Sequence, residues 1–221
     1  MTDNREWKVA VGGDTTSAVY VPADDTDTVF VCAHGAGGNM SDRGLLALTR
    51  ALGSTGLSTV RFNFLYRERG SGRPDPMPRL ENTFSAVVAR VREELSPKRL
   101  IIGGRSMGGR AASMLASKNF ACDGLLLFAY PLHPPGQPDK LRDAHLPSIK
   151  VPVLCFNGTR DTFCTRELME KALEAVRTEW EMRWLESADH SFHVPKSSGR
   201  TDAAVLEEVA SATREWIAAL D

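Results

Sequence analysis

The sequence has no run of the roughly 20 consecutive apolar residues that a bilayer-crossing helix needs, so no membrane span is expected. Residues 1–7 are polar and charged, without the apolar stretch behind a basic start that marks a secretory signal, and the expected compartment is the cytoplasm. Cysteine is sparse: Cys32, Cys122, Cys155 and Cys164 form no C-x-x-C pair. That excludes a disulfide framework, and Cys32 and Cys155, inside apolar runs, are expected to be buried reduced thiols. Net charge is missing too. With 27 basic residues against 28 acidic the chain has no field to gather polyanions, and nucleic acid is not an expected partner. Internal repeats and low-complexity segments are absent. The glycines near residue 106 cannot form a Walker A loop, because Gly109 and Arg110 stand where Lys and Ser or Thr are needed. Gly35-Ala36-Gly37 starts like a dinucleotide fingerprint, but Met40 occupies its last glycine position. His190-x-x-His193 comes without an H-E-x-x-H helix or a carboxylate cluster, so no metal and no cofactor are expected.

What is present has an ordinary globular balance, 42% hydrophobic and 25% charged, and 221 residues suit one domain spanning 1–221. Short β-branched or aliphatic runs alternate with amphipathic stretches, the pattern of an α/β fold whose mostly parallel sheet carries helices on both faces. Strands are expected at residues 7–11, 17–21, 28–32, 58–62, 100–103, 124–128, 151–156 and 181–185. Helices are expected at residues 42–54, 81–95, 107–118, 165–176 and 202–220. Ser41 or Asp42, Thr165 and Thr201 are candidate N-caps, and Pro97 closes the second helix. Only Gly12, Gly13 and Asp14 separate the opening strands, which predicts an antiparallel hairpin. Residues 65–79 and 130–150, rich in proline and arginine, are expected to be irregular.

The sharpest local signal is Gly104-Arg105-Ser106-Met107-Gly108, a G-x-S-x-G pentapeptide between an apolar strand and a small-residue helix. Such a strand-to-helix turn projects its serine above the sheet edge, and its tightness demands glycine on both sides. Ser106 is therefore the candidate nucleophile. The segment Ala33-His34-Gly35-Ala36-Gly37-Gly38-Asn39 follows another buried strand, and its glycines leave backbone N–H groups free to face a substrate. We assign oxyanion donors to the N–H groups of Ala36 and Met107, with Gly37 as the fallback. His34, in an H-G turn, is expected to hold that loop rather than move protons.

Where a G-x-S-x-G serine works with an acid and a histidine, their chain order is serine, acid, histidine, with the histidine after the last strand. His190 meets that condition, with His193 as rival. Asp161, in the turn after the run 151–156, is the candidate acid that orients the imidazole. Adjacent Asp189 is the decoy.

With His34-Gly35-Ala36-Gly37-Gly38, Gly104-Arg105-Ser106-Met107-Gly108-Gly109, Gly158-Thr159-Arg160-Asp161 and Ala188-Asp189-His190-Ser191-Phe192 in place, the chain resembles the α/β-hydrolase superfamily over nearly its full length. Within it, the chain is similar to the dienelactone-hydrolase-like branch of small lidless enzymes. The phrases FNFLYRERGSGRPDP and YPLHPPGQPDKLRDAHLP resemble a less characterised subgroup, which includes animal relatives thought to act in protein complexes. Dienelactone hydrolases proper use cysteine, whereas this chain has Ser106. The resemblance thus implies a serine hydrolase of carboxylic esters with small or short acyl groups, acting on a small-molecule substrate as a monomer or homodimer. The alternatives are a thioesterase, peptidase or lactone hydrolase using the same residues, or a non-catalytic scaffold. The short stretch between Phe128 and Val151 leaves room for a minimal cap only. Arg67, in the loop 65–79, and Arg105, beside Ser106, are candidate clamps for a substrate carboxylate. His133 is expected to line or brace the entrance.

Overall fold

The structure is a computed structural model that describes residues 4–23 and 27–220; the first three residues of the segment read for a signal lie outside the described residues. Eight strands form one sheet: β1 (Arg5–Val11), β2 (Asp14–Val21), β3 (Thr28–Ala33), β4 (Ser58–Phe62), β5 (Arg99–Arg105), β6 (Gly124–Phe128), β7 (Val153–Gly158) and β8 (Trp180–Leu185). Their order is β1-β2-β4-β3-β5-β6-β7-β8. The hairpin β1-β2 is antiparallel, β2 pairs antiparallel with β4, and every pairing from β4 onward is parallel.

Because side chains alternate across a strand, each central strand feeds two cores. Val29, Val31, Ile102, Leu125, Leu127, Val153 and Cys155 point to one face. There they meet α3 (Met77–Leu95), α4 (Met107–Ala116) and α5 (Arg166–Leu173). Phe30, Cys32, Ile101, Leu126, Phe128, Leu154 and Phe156 point to the other, against α1 (Arg43–Gly53) and α6 (Asp202–Ala219). Burying each such side chain contributes about 1.5–3 kcal/mol, which is why nearly unbroken apolar runs are tolerated only in strands covered on both sides.

The departures from expectation are local. The helix expected from residue 81 begins at Met77, because Pro78 fits the first helical turn, where an N–H has no intrahelical acceptor anyway. A short helix, α2 (Leu65–Glu68), occupies the start of the stretch expected to be irregular. Strand β7 starts at Val153 rather than 151, after Pro152, which has no N–H to give the ladder. Thr165 and Thr201 accept from the N–H groups of Leu168 and Ala204, whereas Asp42 stands at the start of α1 without a side-chain cap bond. Cys32, Cys155 and Cys164 are buried and unpaired, and Cys122 is half-buried. Among the described residues no helix is long and apolar enough to cross a membrane.

Candidate active site

The loops that follow the parallel strands converge at one edge of the sheet, and the site is built there. Strand β5 leads into α4 through Ser106, whose backbone sits at φ 50° and ψ -117°. A non-glycine residue held at such a conformation costs on the order of 1–3 kcal/mol, which its surroundings must impose. Two glycines let the turn press against the end of β3. A Cβ at Gly104 would lie 2.2 Å from the Ala33 carbonyl oxygen, and one at Gly108 would lie 2.6 Å from that atom. The Ser106 N–H donates to the Phe128 carbonyl at 2.8 Å, fixing the turn to β6.

His190, on the loop after β8, places Nε2 2.9 Å from Ser106 Oγ. Its Nδ1 lies 2.8 Å and 3.0 Å from Asp161 Oδ2 and Oδ1, on the loop after β7. A carboxylate only accepts, so Nδ1 carries the ring proton and Nε2 turns its lone pair to the serine hydroxyl. The Asp161 side chain is fully buried, and its charge is further met by Asn157 Nδ2 at 3.1 Å and the Phe163 N–H at 2.9 Å. The Phe163 ring stacks on the imidazole with centroids 4.2 Å apart.

The rivals face elsewhere. His193 pairs with Asp202 on the surface at 3.0 Å, which raises its pKa. Asp189 Oδ1 accepts the N–H groups of Ser191 and His193 and shapes the loop that carries His190.

The loop after β3 is tied from below. His34 Nδ1 donates to the Gly35 carbonyl at 2.7 Å, and its Nε2 accepts the Phe64 N–H at 3.1 Å. Burial lowers its pKa to about 4, so the ring stays neutral and keeps both bonds. The Tyr66 hydroxyl donates to the Ala36 carbonyl at 2.7 Å. Ala36 and Met107 both line the cavity beside Ser106. The Met107 N–H, first in α4, has no intrahelical acceptor, and the Ala36 N–H meets no backbone acceptor among the described residues.

That cavity has a volume of about 380 Å³ and is walled by Met77, Leu80, Pro131 and Phe163, with Asp75, Arg110 and Arg142 as its charged members. Four of the candidates, Gly37, Arg67, Arg105 and His133, do not line it. Gly37 is exposed and lies outside the cavity lining. Arg67 turns to the Ser71 carbonyl at 3.2 Å and lies over the Tyr66 ring. Arg105 runs behind the site, donating to the His190 carbonyl at 2.9 Å beside the Phe192 ring, so it braces the histidine loop. His133 is buried, with Nδ1 on the Pro134 carbonyl at 2.9 Å and its N–H on the Phe163 carbonyl at 3.2 Å.

Asn157 and Phe163 were not singled out from the sequence. Asn157 carried a readable signal: it is a polar residue inside the apolar run VLCFNG of a strand buried on both faces, where an amide needs partners. Phe163 carried none, since its place depends on how two loops meet.

A serine on a strained strand-to-helix turn, at the edge of a doubly covered parallel sheet and in series with a histidine and a buried aspartate, is the architecture of an α/β hydrolase. The chain belongs to the alpha/beta hydrolase domain family, whose model matches residues 26–218. It is 33% identical over 96 residues to the uncharacterized protein YfhR of Escherichia coli O157:H7, a match covering 43% of this chain. The matched segment spans about a third, 32%, of that relative's length. Among solved structures, an alpha-beta serine hydrolase homologue from Coxiella burnetii superposes with a TM-score of 0.78 at 20% identity, covering 96% of this chain and 98% of the other. A serine hydrolase without lid from Xanthomonas campestris gives 0.77 at 19% identity, with 98% and 96% covered. Dienelactone hydrolase from Anabaena variabilis gives 0.74 at 19%, with 97% and 96% covered. At these identities the likeness is one of fold.

Proposed function

We propose that this chain is a serine hydrolase that cleaves carboxylic esters of small or short-chain acyl groups through an acyl-enzyme. The observation that carries this reading is the unbroken series Ser106 Oγ, His190 Nε2, His190 Nδ1 and Asp161 Oδ2, with contacts of 2.9 Å and 2.8 Å.

In this mechanism His190 Nε2 takes the Ser106 proton as Oγ bonds to the ester carbonyl carbon. The imidazolium so formed faces the buried Asp161 carboxylate. Negative charge gathers on the former carbonyl oxygen, where the N–H groups of Ala36 and Met107 receive it; losing one such donor lowers turnover about 10²- to 10³-fold. Collapse breaks the bond to the alcohol, which leaves with the proton from His190. Water then enters, gives its proton to His190, attacks the acyl carbon, and releases the acid with Ser106 restored.

The size of the cavity and the connection between β6 and β7, whose one helical element is the single short turn Leu146–Ser148, favour short acyl groups over long lipid chains. The likeness to a serine hydrolase described as lidless agrees with this. The test is covalent capture by a fluorophosphonate probe together with release of nitrophenol from short nitrophenyl esters. Wild-type protein is expected to give both and Ser106→Ala neither; labelling that persists in Ser106→Ala would remove Ser106 from this role.

A further inference from the structure

The cavity beside Ser106 is lined by two arginines, Arg110 and Arg142, that form no ion pair among the described residues. Arg110 sits one turn into α4, with its N–H on the Ser106 carbonyl at 3.0 Å. Helical side chains lean toward the N-terminus of their helix, which carries that of Arg110 back over the turn bearing Ser106 and Met107. Arg142 arrives from the loop between β6 and β7. Its backbone is held at both ends, the N–H by the Leu132 carbonyl at 2.7 Å and the C=O by the Tyr130 hydroxyl at 3.1 Å.

Both side chains line the cavity, and among the described residues neither guanidinium has an ion pair or a hydrogen-bonded acceptor. The Arg110 Nε is buried with no partner at all. Burial and the nearby Arg110 charge both lower the pKa of Arg142, as expected for two cations sharing one poorly hydrated space. The only carboxylate lining the cavity among the described residues, Asp75, has its Oδ1 on Arg69 at 2.6 Å, with Arg79 at 3.9 Å, while its Oδ2 is buried without a partner. With two guanidinium groups against one carboxylate already paired to Arg69, the lining carries a net positive charge. The remaining wall includes Pro131, Pro135, Met77, Leu80 and Phe163, apolar surface suited to a methylene chain.

Building on the serine-hydrolase reading, we infer that this cavity selects esters whose acyl group ends in a carboxylate, with the ester carbonyl at Ser106 and the carboxylate gripped by Arg110 and Arg142. A guanidinium pairs with a carboxylate through two parallel N–H donors, so a substrate anion supplies the acceptors these side chains lack. One helical turn, about 5.4 Å, separates Ser106 from the level of Arg110. That spacing fits a hemiester of a short dicarboxylic acid such as glutarate.

The experiment compares monophenyl glutarate with phenyl valerate, near-isosteric esters that differ in the terminal carboxylate. For wild-type protein, kcat/KM is expected to favour the glutarate about tenfold or more at low salt, with the preference shrinking as salt screens it. Arg142→Gln and Arg110→Gln should each pull the ratio toward one, and the lysine substitutions should retain part of it. Calorimetry of monophenyl glutarate with Ser106→Ala reads the same site without turnover; adding Arg142→Gln should weaken binding about 10- to 100-fold. A wild-type ratio at or below one, or binding to Ser106→Ala indifferent to Arg142→Gln, overturns this inference while leaving the nucleophile assignment intact. Failure of probe labelling would instead sink the serine-hydrolase reading, and the calorimetry would still decide the anion site.

Discussion

The side-chain amide of Asn157 donates to Asp161 Oδ2 at 3.1 Å, tying the candidate acid to the strand it follows. The same amide brackets the Tyr130 backbone, with Oδ1 accepting its N–H at 3.1 Å and Nδ2 reaching its carbonyl at 3.2 Å. One fully buried side chain thus joins the ends of β6 and β7 beneath the site.

Asn157→Leu strands the Tyr130 N–H and removes a donor from Asp161. We expect a loss of about 1–3 kcal/mol in urea-unfolding free energy, the cost of a buried polar group without a partner. Turnover of short esters should fall with it. Unchanged stability would mean that water or backbone movement replaces the amide.

Asp161→Asn keeps the shape of the acid but can donate to Nδ1, favouring the wrong imidazole tautomer. On the serine-triad mechanism, kcat should drop by about 10⁴-fold with KM little changed. Steady-state kinetics on a short nitrophenyl ester measure this. A drop of only a few fold would show that Asp161 does not set the tautomer.

Tyr66→Phe removes the hydroxyl that holds the Ala36 carbonyl. A hydrogen bond of this kind contributes about 0.5–1.5 kcal/mol, so loosening the loop should slow acylation by roughly 2- to 10-fold. Pre-steady-state burst kinetics would reveal it, because the effect belongs in acylation rather than in substrate binding.

The pH dependence of stability has a definite sign. His34 and His145 both have pKa values lowered by burial to about 4 in the native state, against 6.5 when free. Between those values the unfolded chain binds more protons, so stability present above pH 6.5 is lost as pH falls toward 4. Each histidine contributes a slope of at most about 1.4 kcal/mol per pH unit. His193, whose pKa is raised by Asp202 on the surface, acts in the opposite direction as pH rises through its own value. Urea unfolding free energies across this range should show the fall, with a shallower slope in His34→Gln. An identical slope in that variant would remove His34 as a source.

The architecture was largely legible along the chain. Runs such as TVFVCA and GLLLF cannot be buried on two faces except within a covered parallel sheet, and Gly104 and Gly108 flank the single serine placed on a strand-to-helix turn. The arginines were read less well. Arg67 belongs to the arginine-rich loop 65–79 and Arg105 adjoins Ser106, yet successive residues at a tight turn point in different directions. Arg105 therefore goes behind the histidine loop while Arg110, one helical turn later, faces the cavity.

The amino-acid order alone marked most of the strands and helices, the sharp turn at Ser106 and the candidates to act with it, because periodicity and backbone sterics work over a few neighbouring positions. The fold decided which side chains share the cavity and which buried partners hold Asp161, His190 and the loop after β3. Those relations depend on six loops, after β3, β4, β5, β6, β7 and β8, that lie far apart along the chain and meet only where the parallel sheet places their starting points side by side.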